Sequence, residues 1–226
     1  DFWDSMLPHV DELRFLYING GEPLLIDKHG NFLKELIKLD VAKNVTITYS
    51  TNSTVSGKEY EEIWKHFKHV DIMLSIDCLG ERNQYMRYPS KWDNTVKQYE
   101  WFQNLSSRND NMITTICQTV SILNIWYLKE FYDFFGHNHI SCNFVTNPMY
   151  YDPAILPQDI KDRIINKYKG EKFYDTIKNY LSIDNRDRTL EQFFDVTNRQ
   201  DVLRKESYKE TFPEFYEMIK EYDRKS

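Results

Sequence analysis

Two rhythms of apolar residues alternate along the chain. Short runs rich in β-branched and aromatic residues predict strands: "ELRFLYI" (12 to 18), "NVTITYSTN" (44 to 52), "VDIMLSID" (70 to 77), "NMITTICQTVSI" (111 to 122) and "ISCNFV" (140 to 145). Between them, "IDKHGNFLKELIKLDVA" (26 to 42), "SGKEYEEIWKHFKH" (56 to 69), "KWDNTVKQYEWFQNLSS" (91 to 107) and "IWYLKEFYDFFGH" (125 to 137) carry apolar residues at helical spacing, the second opened by Ser56 as a cap. Strands alternating with helices in this way predict βα units, and so a parallel sheet with right-handed crossovers. From about Pro148 the alternation stops. The remainder predicts helices over roughly 157 to 169, 171 to 182, 187 to 205 and 211 to 222, with Leu156-Pro157 opening the first. The pattern therefore divides the chain into an α/β part, 1–147, and a helical part, 148–226.

The strands are apolar through most of their length and turn polar where they end, at "NGGEP", "STNST", "SIDCLG", "QTVSILN" and "NFVTNP". In parallel α/β folds ligands bind at this edge, because the loops leading from strand to helix converge there. Among these loops "YINGGEPLLI" (17 to 26) is the most unusual, since it places two of the chain's seven glycines side by side where a strand ends. Adjacent residues without Cβ let the backbone take φ > 0 and let a ligand approach the peptide groups.

Composition narrows the function without assigning it. A net charge of −6 over 226 residues gives no general attraction to nucleic acid or anionic membranes, and no basic stretch is longer than "RKESYK". No apolar run approaches the roughly 18 residues that span a bilayer, and "DFWDSMLPHVDEL" lacks the features of a signal peptide, so the expected location is cytosolic. Cys78, Cys117 and Cys142 are too scattered for a local metal clip and odd in number, which predicts reduced thiols. The first residue is Asp1 rather than Met, which predicts a piece of a longer protein.

"GGEPLL" after a first strand, "STN" at the end of the next and "SIDCLGERNQYMR" at the third resemble the radical S-adenosylmethionine (radical SAM) superfamily, in particular its peptide-modifying branch with SPASM or twitch extensions. "NFVTNPMYYDPAILP" and the tail "TFPEFYEMI" are similar to the twitch-containing members. The resemblance implies an α/β fold of the partial (β/α)6 TIM-like barrel type, here missing its first strand, with a helical C-terminal extension. It also implies S-adenosylmethionine and a [4Fe-4S] cluster as cofactors, and a peptide or protein as the substrate from which a hydrogen atom is abstracted. One departure is decisive: the family's Cys-x3-Cys-x2-Cys motif, which sits upstream of GGEP, does not occur in this chain. The expectation is that the cluster ligands lie outside this chain, which is inactive as given; the alternatives are a degenerate S-adenosylmethionine- or peptide-binding module and an unrelated parallel α/β enzyme. A barrel lacking its first strand exposes an edge at residues 12 to 18, which predicts self-association.

The resemblance assigns the loop with Gly20, Gly21, Glu22 and Pro23 to the cofactor's ammonium, with Glu22 as acceptor or as a brace for the turn; the plainer reading is a Gly-Gly turn with Glu22-Pro23 starting a helix. Ser50 and Asn52 suit donors to the cofactor's carboxylate or sugar, or an ordinary Asn turn. Ser75 and Asp77 share a strand face, so Ser75 can reach the carboxylate and Asp77 the ribose hydroxyls, unless Asp77 only caps its loop. Arg87 is a two-pronged clamp for a carboxylate or a solvated loop arginine. Gln118, Ser121, Asn124, Asn143 and Asn147 are candidates near sugar and adenine. Cys78 reads as a bland thiol where relatives often carry Gly, and His66 with His69 reads as a solvated helix face rather than a metal pair.

Overall fold

The computed structural model describes residues 2–183 and 190–223. Five strands, β1 (Phe15–Ile18), β2 (Thr46–Thr51), β3 (His69–Leu74), β4 (Met112–Val120) and β5 (Ile140–Phe144), form one sheet in the order β1-β2-β3-β4-β5. The first four pair in parallel, with Tyr17 beside Thr48, Thr48 beside Asp71 and Asp71 beside Ile113. β5 follows β4 in the same sense, since the Ile116 amide donates to the His139 carbonyl and the Val145 amide to the Val120 carbonyl. Sequential order is what successive βα units with one crossover hand produce.

By internal contacts the chain divides into two compact units, the first comprising residues up to Ile76, Ser90–Cys117 and His139–Ser141, the second Asp77–Pro89, Gln118–Asn138 and the residues from Cys142 onward. The first unit holds α1 (Phe2–Met6), α2 (Asp27–Lys38) and α3 (Glu61–Trp64). In the second lies α4 (Gly80–Met86), whereas α5 (Trp92–Ser107) returns to the first. The second unit continues with α6 (Leu128–Phe135), α7 (Gln158–Lys167), α8 (Tyr174–Leu181), α9 (Glu191–Arg204), α10 (Tyr208–Thr211) and α11 (Pro213–Ile219).

In the first unit the strands' alternation decides the core. Leu16, Ile18, Ile47, Tyr49, Val70, Ile72 and Leu74 are buried, as are Leu33 and Leu36 of α2 and Phe102 of α5. Each such side chain contributes about 1.5–3 kcal/mol by leaving water. Aromatic rings fill the space on the helix side of β2: Tyr49 meets Trp64 edge-on at 5.5 Å, and Tyr60 stacks on His29 at 4.8 Å. The second unit is built on a different aromatic cluster, in which Phe193 meets Tyr208 at 5.6 Å and Phe215 at 6.0 Å. Around it, Tyr85 OH donates to Asp201 at 2.7 Å and Tyr127 OH to Glu214 at 2.8 Å.

Three expected elements differ. The helix expected over 56 to 69 is reduced to a 3-10 turn, Lys58–Tyr60, and the short α3. Ser56 Oγ does accept the Lys58 amide, but the Asn111 side chain takes the carbonyls of Trp64 and Phe67, which stops the helix one turn on. The segment after β3, read as loop, contains α4. Asn83 on that helix accepts the Asp77 and Cys78 amides at 3.0 and 3.3 Å and so fastens it to the strand end. The edge strand is shorter than 12 to 18, because residues Leu7–Glu12, with Pro8 near their start, form a 3-10 helix. The helix expected from 187 is observed as α9; its residues 187–189 lie outside the described residues.

Candidate functional site

The loop after β1 is built around a buried carboxylate. Gly20 and Gly21 have φ of +89° and +58°, values that suit residues without Cβ, and open space surrounds both positions. Glu22 follows, only 8% exposed. Thr51 Oγ1, at the end of β2, shares its proton between the two Glu22 oxygens at 2.8 and 2.9 Å. The Asn52 amide donates to the same carboxylate at 2.9 Å and the Leu24 amide at 3.3 Å. Glu22 therefore caps the 3-10 turn Pro23–Leu25, with Pro23 at its first position, and ties that turn to the end of β2. Every donor is neutral, and among the described residues no cation pairs with Glu22. The carboxylate is thus well hydrogen-bonded, with no positively charged partner among the described residues.

The rest of the β2 end is a compact turn. Asn52 Oδ1 accepts from the Thr54 amide at 3.0 Å and from the Thr54 hydroxyl at 2.5 Å, so this side chain makes the Asn turn that sequence reading held as its plainer option. Ser53 adopts φ +60° and donates its amide to Thr51 Oγ1 at 3.2 Å. Ser50 and Ser75 are half-buried, and the Ser75 amide donates to the Thr51 carbonyl at 2.9 Å.

After β3, the second unit presents a carboxylate held quite differently. Arg87 grips Asp77 with two bonds, Nε to Oδ2 at 2.5 Å and Nη2 to Oδ1 at 2.9 Å. The Thr119 amide adds a third at 2.8 Å. The Asp77 carbonyl accepts from Asn124 Nδ2 at 2.7 Å and Gln118 Nε2 at 3.2 Å, while Asn124 Oδ1 takes the Ser121 amide at 2.7 Å. Of the sequence-predicted residues, Asp77, Arg87, Ser121 and Asn124 thus form one network with Gln118. In it Arg87 clamps a carboxylate of its own chain, and Asp77 fastens its loop to the end of β4. Asn143 and Asn147 are exposed.

An iron–sulfur cluster needs several thiolates together, and Cys78, Cys117 and Cys142 are not grouped as ligands among the described residues. Burial pushes the Cys78 thiol up to about 12 against the pull of Arg82. Among the described residues no three His, Cys, Asp or Glu side chains are grouped as metal ligands, and no helix is long and apolar enough to cross a membrane. His66 is exposed and His69 half-buried at the start of β3.

Sequence reading missed Thr51 and Thr119. Thr51 alternates to the face opposite Ser50 and Asn52, and the signal that could have found it is the need of a buried Glu22 for donors. Thr119 acts through its backbone, which side-chain chemistry does not reveal.

No protein-family model and no curated protein matches the chain. Solved structures do: native anSMEcpe with bound AdoMet aligns at 15% identity and a TM-score of 0.56, over 78% of this chain and 51% of that one. The same protein with AdoMet and the Kp18Cys peptide aligns at 14% identity and 0.57, over 79% and 52%; with AdoMet and the Cp18Cys peptide it aligns at 14% and 0.57, over 79% and 53%. The chain spans about half the length of these structures. What it shares with them is the fold: an α/β architecture on a parallel five-stranded sheet.

Proposed function

We propose that the chain is the S-adenosylmethionine-binding part of a cytosolic radical SAM protein of the SPASM or twitch type, acting on a peptide or protein. In this reading the sheet is a partial (β/α)6 barrel lacking its first strand, and residues 148–226 are its helical extension. The observation that carries the reading is Glu22, a buried carboxylate with neutral donors only, beside two open glycine peptides at the carboxyl end of a parallel strand. S-adenosylmethionine brings an ammonium and a sulfonium, and a buried carboxylate without a counter-charge complements a cation. The fold is that of structures holding AdoMet, two of them with a peptide as well.

Within the proposal Gly20 and Gly21 offer peptide groups to the ligand's amino-acid end, Glu22 supplies the charge, and Ser50 and Ser75 offer hydroxyls. Asp77 and Arg87 neutralise one another, so their part is to set the shape of the loop between them. When bound, the [4Fe-4S] cluster would supply the electron for reductive cleavage. Cys78, Cys117 and Cys142 are not grouped to hold it, so the enzyme reading requires cysteines from outside these 226 residues.

The test is the parent open reading frame. The proposal expects Cys-x3-Cys-x2-Cys a short distance upstream of Asp1, iron–sulfur absorbance after anaerobic reconstitution, and 5′-deoxyadenosine on reduction with S-adenosylmethionine. Binding of the cofactor without any iron would leave only a binding module. A full-length protein with neither iron nor binding would end the proposal.

A further inference from the structure

The face of the sheet opposite the helix-covered core carries a second carboxylate that the proposed cofactor site does not use. Along β3 burial alternates, with Val70, Ile72 and Leu74 fully buried and His69, Asp71 and Met73 half-buried. Register places Tyr17 on β1, Thr48 on β2 and Asp71 on β3 side by side, and partners in a parallel ladder present their side chains to the same face. Tyr17 is 49% exposed at one end of this row. At the other, Asp71 Oδ1 accepts from Thr115 Oγ1 at 3.1 Å. Among the described residues that hydroxyl is its one hydrogen-bond partner, and no cation pairs with it. Burial raises the Asp71 pKa, while Thr115, His69 and His139 favour its charged form. Such a carboxylate is partly desolvated and under-compensated, and an incoming cation relieves both conditions.

We propose that this row binds the side chain of a peptide lysine or arginine, with Asp71 as the counter-charge and Tyr17 against the aliphatic stem. The inference rests on the reading of a peptide or protein as substrate and deepens it by naming a residue class. Tyr17 and Asp71 are two strands apart, about 9.5 Å. A long apolar stem ending in a charge matches that spacing, whereas a compact metal ion would leave the aromatic unused and meet no group of three ligands here. An anionic ligand would face Asp71 directly. Asp71 lies three residues before the end of β3 at Leu74, about 10 Å along the strand, whereas Tyr17 lies three residues before Gly20, so the row runs from beside the glycine loop into the sheet face.

The experiment titrates the chain with Nα-acetyl-lysine N-methylamide, its arginine counterpart and its norleucine counterpart, following amide shifts of β1 and β3 by NMR. The expected result is that the two cationic probes bind at least tenfold more tightly than norleucine, that Asp71→Asn removes this preference, and that about 0.5 M salt weakens it. Equal binding of the lysine and norleucine probes overturns the proposal, as does a preference that survives in Asp71→Asn. Should that variant fail to fold by circular dichroism, the lysine and norleucine probes on the unaltered chain decide alone. The cofactor reading is tested with a different ligand at a different loop, so failure of the lysine preference leaves it standing.

Discussion

Glu22 and Asp77 both follow parallel strands and both are buried, yet their surroundings give them different chemistry. Glu22 is held by a threonine hydroxyl and two backbone amides, all neutral, so among the described residues no positive charge meets its own. Asp77 is held by a guanidinium and one amide, so its charge is already met within the chain. The lesson is that a carboxylate in a family-like motif is not by itself a ligand group. What decides is whether its donors bring a positive charge.

That contrast can be broken by mutation. The largest effect should follow Arg87→Met, which leaves the Asp77 carboxylate, 6% exposed, without its cation. The expected loss is about 3 kcal/mol of unfolding free energy, measured by denaturant titration. Glu22→Gln, which keeps the shape and removes the charge, should cost less, about 1–2 kcal/mol, because its partners are neutral dipoles. If the two variants lose the same stability, the distinction between a paired and an unpaired carboxylate fails.

Gly21→Ala should cost about 1 kcal/mol, since the position has φ +58° but open space around an added Cβ. A loss several times larger would show contacts that the loop does not display.

The smallest expected effect is in pH dependence. His29 is buried just past the Glu22 loop, its Nδ1 bonded to the Ile26 carbonyl at 2.7 Å and its Nε2 to the Tyr49 hydroxyl at 3.2 Å. Burial lowers its pKa from the ordinary 6.5, so the unfolded chain takes up this proton before the folded one does. The contribution of neutral His29 is complete above 6.5 and is lost as pH falls below it. Asp71 acts in the opposite sense: burial raises its pKa, and acid relieves a cost. Comparing the unaltered chain with His29→Gln cancels the Asp71 contribution. Between pH 7 and 5.5 the unaltered chain should lose more stability than the variant, by less than the Gly21→Ala cost. Parallel curves would remove His29 from the account.

Much of the fold was legible because strands and helices repeat with different periods. The five strand segments and the helix over 91 to 107 follow directly from β-branched runs and helical spacing. α4 was hidden because "GERNQYM" has no apolar stripe; Asn83 fastens it through hydrogen bonds instead. α3 was overextended because the residue that ends it, Asn111, lies 47 positions away from the Trp64 carbonyl it caps. At the candidate site, the motif resemblance singled out Glu22 and Asp77 and donor geometry singled out Arg87, but none of these showed that Arg87 closes on Asp77. Asp71 was read as part of a strand, and only the register showed which neighbours it meets.

The central claim is that the Glu22 loop receives the cationic end of S-adenosylmethionine. NMR can follow the Gly20 and Gly21 amides as S-adenosylmethionine is added to millimolar levels, with methylthioadenosine, which lacks the charged end, as the comparison. The account predicts that S-adenosylmethionine moves both resonances, that methylthioadenosine does not, and that Glu22→Gln abolishes the difference. Resonances that stay still with S-adenosylmethionine, or that respond equally to both compounds, would contradict it.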